Sequence, residues 1–167
     1  MATVKFLDKT MHLVGELPKA GEKAPDFSLP DPQMQMIGLD DFKGHVLTLL
    51  TVPSLDTPIC DLEVKRFNSE AAGLSDKVRI VAVSRDLPFA QARWCAGNGI
   101  SAVTTLSDYR NGDFGKAYGV YIEELALLAR AAFVINPAGI VSYAQLVPQV
   151  KEHPDYDAIM DAIKKAI

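Results

Sequence analysis

Two cysteines, Cys60 and Cys95, are the residues of this 167-residue chain best suited to chemistry. Cys60 follows Pro53-Ser54-Leu55-Asp56-Thr57-Pro58-Ile59, at the point where a loop meets a helix. A sulfur placed there faces unpaired N–H groups and the positive end of the helix dipole, which favours the nucleophilic thiolate. At an ordinary thiol pKa near 8.5 only about 3% is thiolate at pH 7, whereas a pKa near 6 gives roughly 90%. That shift amounts to about 3.4 kcal/mol, and a helix terminus supplies ~1–2 kcal/mol of it. A second positive group is needed, the more so because Asp61 and Glu63, read as first-turn residues, oppose a neighbouring anion. The competing reading of Cys60 is a small buried hydrophobe.

Arg130 is the best candidate for the missing cation. It interrupts the apolar stretch 125–135, where an arginine must reach the surface or meet a buried anion, and a thiolate with an approaching oxygen would satisfy it. A snorkelling or edge-strand arginine is the alternative. Arg66, Arg79, Arg85, Arg93 and Arg110 lie in more polar contexts and read as surface charge. Thr57, three residues before Cys60, offers a hydroxyl that can donate to a thiolate and accept from a peroxide, or simply cap the helix. Pro53 stiffens the start of the loop and shields the sulfur, or merely ends a strand. Cys95 lies 35 positions beyond Cys60, so there is no CxxC motif and a thioredoxin-type dithiol is excluded. Two sulfurs on separate helices need local unwinding before their Cα atoms come within the roughly 7 Å of a disulfide. Taken alone, Cys95 reads as a core residue.

The elements that must position these residues follow from hydrophobic period and turn residues. Alternation over 3–7 and 11–14 predicts a hairpin turning at 8–10, and 19–32 reads as a connector with a brief strand at 27–29. A helical turn at 39–44 leads to a buried strand at 46–52, a loop at 53–58 and a helix at 60–72 with Leu62, Val64, Phe67 and Ala71 at helical spacing. A second buried strand at 78–83 completes a right-handed strand–helix–strand unit. Pro88 opens a helix through Phe89, Ala92 and Cys95 that closes near Gly97 or Gly99. A strand at 103–106, a helix at 113–118, a hairpin of 131–135 and 139–146 about Asn136-Pro137-Ala138-Gly139, and an amphipathic helix at 154–167 complete the chain. Together they form an α/β, thioredoxin-like topology in one domain spanning 1–167.

Composition narrows the classes. The chain is 49% hydrophobic with a formal net charge of −4, which argues against disorder and against coating nucleic acid or an anionic membrane. The first 18 residues lack the apolar core of a signal peptide, so a cytoplasmic address is expected. Two cysteines and three scattered histidines, His12, His45 and His153, argue against a structural metal cluster, and 112–116 lacks the length and Ser/Thr of a phosphate loop.

Pro53, Thr57 and Cys60 form a P-x-x-x-T-x-x-C pattern that resembles the active-site signature of peroxiredoxins. The stretch 86–95 (DLPFAQARWC) resembles the one carrying the second cysteine of bacterial thiol peroxidases, an atypical two-cysteine branch. Arg110-Asn111, Phe114, Ala117-Tyr118-Gly119-Val120, Gln145-Leu146-Val147-Pro148 and Pro154-Asp155-Tyr156 extend the likeness over nearly the whole chain. The resemblance implies a peroxiredoxin-type thioredoxin fold with an N-terminal β-hairpin extension. It also implies Cys60 as peroxidatic cysteine, Cys95 as resolving cysteine of the same subunit, and Pro53, Thr57 and Arg130 completing the site. A homodimer reduced by thioredoxin and acting on alkyl hydroperoxides and hydrogen peroxide, with no metal, haem or flavin, follows in the same way. Two departures stand out: 123–129 lacks the glycine-rich loop usual before the arginine, and Trp94 replaces a usual phenylalanine, which bears on how easily that helix unwinds. A peroxide-sensing relay passing its disulfide to one partner is the alternative function.

Overall fold

The apolar runs VLTLLT and VRIVAVS become central strands because both of their faces are covered. In the computed structural model, which describes residues 2–71 and 73–167, the chain forms β1 (Thr3–Phe6), β2 (Lys9–Val14), β3 (Ser28–Pro30), β4 (Met36–Gly38) and a 3-10 turn (Leu39–Phe42). It continues with β5 (Val46–Thr51), α1 (Pro58–Ala71), β6 (Val78–Ser84), α2 (Pro88–Asn98), β7 (Val103–Ser107) and α3 (Asp113–Ala117). Then come β8 (Tyr121–Ile122), β9 (Leu127–Leu128), β10 (Ala131–Ile135), β11 (Val141–Leu146) and α4 (Tyr156–Ala166).

The five-stranded sheet has the order β11-β10-β5-β6-β7, with β5, β6 and β7 parallel and β10 antiparallel to β5. Alternate residues serve opposite faces. Val46, Leu50, Ile80, Ala82, Ala132 and Val134 join an apolar cluster with Val64 and Phe67 of α1 and Ile159 and Ile163 of α4. Leu47, Leu49, Val81, Val83, Phe133 and Ile135 face the other way, into a cluster with Phe114, Tyr118, Leu13 and Val4. A second sheet, β1-β2-β8-β9, caps that side.

Most expected elements are present, and the differences have local causes. The N-terminal hairpin pairs Phe6 with Lys9, so its turn is Leu7-Asp8 rather than 8–10, with Leu7 at φ 58°. The helix expected at 60–72 starts two residues earlier because Pro58 has its φ preset for a first helical position, and its expected last residue, Ala72, lies outside the described residues. Its buried face is Cys60, Glu63, Val64 and Phe67, while Leu62 is exposed. In α2 the buried residues are Pro88 and Gln91, and Phe89 is exposed. The 123–129 segment read as a loop is a tight hairpin of β8 and β9 turning through Ala126 at φ 53°.

Candidate active site

Cys60 is the third residue of α1, and its side chain is fully buried among Leu50, Val52, Leu55, Val64 and Phe67. The 52–57 segment that delivers it is tied down at several points. Val52 N–H donates to the Val83 carbonyl (3.0 Å), and Asp61 N–H to the Thr57 carbonyl (2.9 Å). The Asp86 carboxylate, just past β6, gathers the rest: Oδ1 accepts from Ser54 Oγ (2.7 Å), and Oδ2 from Leu55 N–H (2.8 Å) and Ser84 Oγ (2.7 Å). Ser107 Oγ donates to the Asp86 carbonyl. Asp86 therefore fixes the loop to the ends of two parallel strands. Residue type alone does not single it out, because the loop residues it anchors, Ser54 and Leu55, lie about thirty positions away. Pro53 is buried at the start of this loop. Thr57 donates its hydroxyl proton to the Ser54 carbonyl (2.8 Å) rather than to a thiolate, which leaves its oxygen able to accept.

Arg130 enters from the opposite side. The register pairs Ala131 with Thr51, Thr51 Oγ1 donates to the Ala129 carbonyl (2.7 Å), and Val147 N–H donates to the Arg130 carbonyl (2.9 Å). The backbone around Arg130 is thus fastened beside the end of β5, where the Pro53 loop begins. Its side chain is buried, and its partners are a carboxylate and a carbonyl rather than the thiol expected from sequence. Nη1 meets Glu63 Oε1 (3.2 Å), while Nε and Nη2 donate to the Val150 carbonyl (3.2 and 2.9 Å).

Glu63 is the residue whose role sequence reasoning missed. It belongs to the second turn of α1, faces inward, stands one turn beyond Cys60 on the same helix, and pairs with the Arg130 guanidinium. Burial pushes its carboxyl up from 4.5 to about 7, against the pull of the Arg130 charge and hydrogen bond. Among the described residues Glu63 Oε2 has no hydrogen-bond partner, which adds to the cost of ionisation. Arg85, read as surface charge, is half-buried instead: it donates to the Asp108, Tyr109 and Ala126 carbonyls and to the Tyr121 hydroxyl, bracing the β8–β9 hairpin.

Cys95 lies half-buried on α2 with Sγ 3.7 Å from Thr105 Oγ1 on β7. Burial pushes its thiol above the ordinary range, and the Thr105 hydroxyl opposes the shift. Cys60 and Cys95 are both free thiols. Trp94 Nε1 donates to Asp61 Oδ1 (2.9 Å), joining α2 to α1 beside both cysteines. A cleft of about 770 Å³ runs between the Cys60 loop and α2, walled by Ser54, Leu55, Asp86, Phe89, Arg93 and Trp94. Cys60 is not among the residues that line the cleft, and it has no exposed surface. Two of the three histidines are engaged elsewhere: His12 pairs with Glu124 and His153 with Tyr156.

The α/β body thus buries a cysteine in the first turn of a helix, with an arginine–carboxylate pair one turn on. Residues 20–144 match the AhpC/TSA family, and the chain belongs to it. It is 48% identical to the thiol peroxidase of Halalkalibacterium halodurans over the whole of both chains. It is 46% identical to the thiol peroxidase of Bacillus subtilis, covering 100% of this chain and 99% of that one. Among solved structures, a peroxiredoxin-like protein from Aquifex aeolicus superposes with a TM-score of 0.93 at 41% identity, covering 100% of this chain and 98% of that one. The thiol peroxidase from Chromobacterium violaceum gives 0.87 at 24% identity over 98% and 95%, a likeness of fold. The peroxiredoxin-type thioredoxin fold and the resemblance to bacterial thiol peroxidases are borne out. Among the described residues no helix is long and apolar enough to cross a membrane.

Proposed function

We propose that this chain is a thiol-dependent peroxidase in which Cys60 is the peroxidatic cysteine and Cys95 resolves it within the same subunit. Membership of the AhpC/TSA family and full-length similarity to thiol peroxidases support the activity. The observation that carries the assignment of residues is the placement of Cys60 in the first turn of α1, one turn before the Glu63 that, with the Val150 carbonyl, holds Arg130.

The Cys60 thiolate attacks the terminal oxygen of ROOH; the O–O bond breaks, the sulfur is oxidised by two electrons to a sulfenic acid, and the departing alkoxide takes a proton and leaves as ROH. Arg130, Thr57 and the N–H groups at the start of α1 align the peroxide and stabilise the charge on the departing oxygen, and Pro53 keeps water from the sulfur. The Cys95 thiolate then attacks the sulfenic sulfur, forming the S–S bond and releasing hydroxide, which leaves as water. An external dithiol, thioredoxin, returns the pair to thiols. Alkyl hydroperoxides and hydrogen peroxide are the substrates, the working form is a homodimer of one-domain subunits (1–167), and the address is cytoplasmic; these rest on the motif resemblance.

Intact mass after one equivalent of cumene hydroperoxide tests the scheme. Reduced protein should lose about 2 Da, Cys95→Ser should instead gain about 16 Da and, with excess peroxide, about 32 Da, and Cys60→Ser should not change. Oxidation of Cys60→Ser at the wild-type rate sinks the assignment of Cys60, and a wild-type protein that gains about 16 or 32 Da instead of losing about 2 Da removes the resolving role of Cys95.

A further inference from the structure

The residue that follows Cys60 and the residue that precedes Cys95 hold each other. Trp94 Nε1 donates to Asp61 Oδ1 at 2.9 Å, and the other oxygen of that carboxylate accepts from Lys65 Nζ at 2.8 Å. The indole also packs against the apolar cluster that contains Cys60, and the helix end behind it is closed by Asn98 Nδ2 donating to the Trp94 carbonyl (2.8 Å). The sulfurs themselves are turned to separate partners: Cys60 lies in the apolar cluster, and Cys95 beside Thr105 of β7.

We propose that the Asp61–Trp94 hydrogen bond is a latch on the resolving step, with both residues acting as positioning residues that set how long the Cys60 sulfenic acid persists. This rests on the roles proposed above for the two cysteines. A disulfide requires Cβ atoms about 3.8 Å apart and a single S–S geometry. Reaching it demands movement of the Cys60 segment relative to the Cys95 segment, and the latch fixes those two segments against each other at the neighbouring positions. Segments that move together keep the latch but do not bring the sulfurs closer; segments that approach must break it. An indole N–H on a carboxylate is a charge-assisted bond, and releasing it before the transition state slows the step by about 10- to 100-fold. The slower the resolution, the more sulfenic acid meets a second peroxide and passes to the irreversible sulfinic form.

Trp94→Phe removes the N–H and retains an apolar ring. Rapid-quench mass spectrometry with cumene hydroperoxide should show sulfenic acid forming at the wild-type rate, the species about 2 Da lighter forming about tenfold faster or more, and less sulfinic acid in excess peroxide. Asp61→Ala leaves the indole in place and should accelerate the same step, and the double variant should gain nothing beyond the single ones. Trp94 is the chain's one tryptophan, so wild-type emission should shift in the disulfide phase and stay constant in Cys95→Ser. Disulfide formation at an unchanged or lower rate in both single variants overturns the latch while leaving the peroxidase reading intact, as does emission that stays constant while the disulfide forms. A wild-type protein that forms sulfenic acid but no disulfide overturns both the latch and the resolving role of Cys95, and leaves Cys60 as the residue that meets peroxide.

Discussion

Glu63 shows how one residue's environment reverses its meaning. An acid in a helix near a cysteine reads as a local anion that hinders a thiolate. Here it is buried against Arg130, and burial holds its carboxyl up at about 7. The guanidinium charge is countered by an anion only once Glu63 ionises. Because the folded value exceeds the unfolded 4.5, the folded protein keeps a proton that the unfolded chain loses over that interval. The contribution of Glu63 to stability is therefore full below about pH 4.5 and is lost as pH rises through about 7. Glu63→Gln, which keeps an oxygen for Arg130 and cannot ionise, should remove a decline of a few kcal/mol from the pH profile of urea-unfolding free energy between pH 5 and 8. Parallel profiles for the two proteins would refute the role. Nothing local in the sequence marks Glu63, because its partner is 67 positions away; Arg130 itself was legible, since a charge inside an apolar run must have a reason.

At the scale of elements, what was legible was what short-range chemistry decides. Pro58 and Pro88 open α1 and α2, Gly99 closes α2, and Asn136, accepting from Ala138 and Ile140 N–H, turns β10 into β11. The β8–β9 hairpin escaped notice because its strands are two residues long, its turn holds no glycine or proline, and β8 pairs with Leu13 and Val14, more than a hundred positions earlier. The same limit hid Asp86, which joins the reactive loop to β6 through side-chain oxygens that could serve any turn. Asp86→Ala strips the acceptor from Ser54 Oγ, Leu55 N–H and Ser84 Oγ together. It should cost about 1–3 kcal/mol of stability. It should also slow sulfenic acid formation at Cys60 about tenfold or more in stopped-flow, by letting the loop drift from alignment. A folded Asp86→Ala protein that oxidises at the wild-type rate would show that the loop needs no such anchor.

At the scale of the whole molecule, the N-terminal hairpin takes part in the site without touching it. Lys5 N–H donates to the Pro148 carbonyl (2.7 Å), Val150 N–H donates to the Lys5 carbonyl (2.8 Å), and Gln149 Nε2 reaches the Leu7 carbonyl (3.0 Å). These bonds hold the segment whose Val150 carbonyl receives two N–H groups of Arg130. Lys5→Pro deletes the first of them at an exposed position. It should cost about 1 kcal/mol of stability, raise hydrogen exchange at Val150 and slow peroxide oxidation several-fold. Unaltered exchange at Val150 would mean that the hairpin merely covers the core.

The route by which that hairpin reaches the body runs through Gly15 and Gly119, which cross backbone to backbone. Both have positive φ (85° and 69°), and a Cβ on Gly15 would fall on the Lys116 carbonyl, one on Gly119 on the Glu16–Leu17 peptide. Packed side chains drift in pairs, one growing as its neighbour shrinks, but a peptide group has no smaller version of itself. Neither glycine can compensate a change in the other. The hairpin can therefore be grafted onto another thioredoxin-like body only where glycine stands on both sides of the crossing.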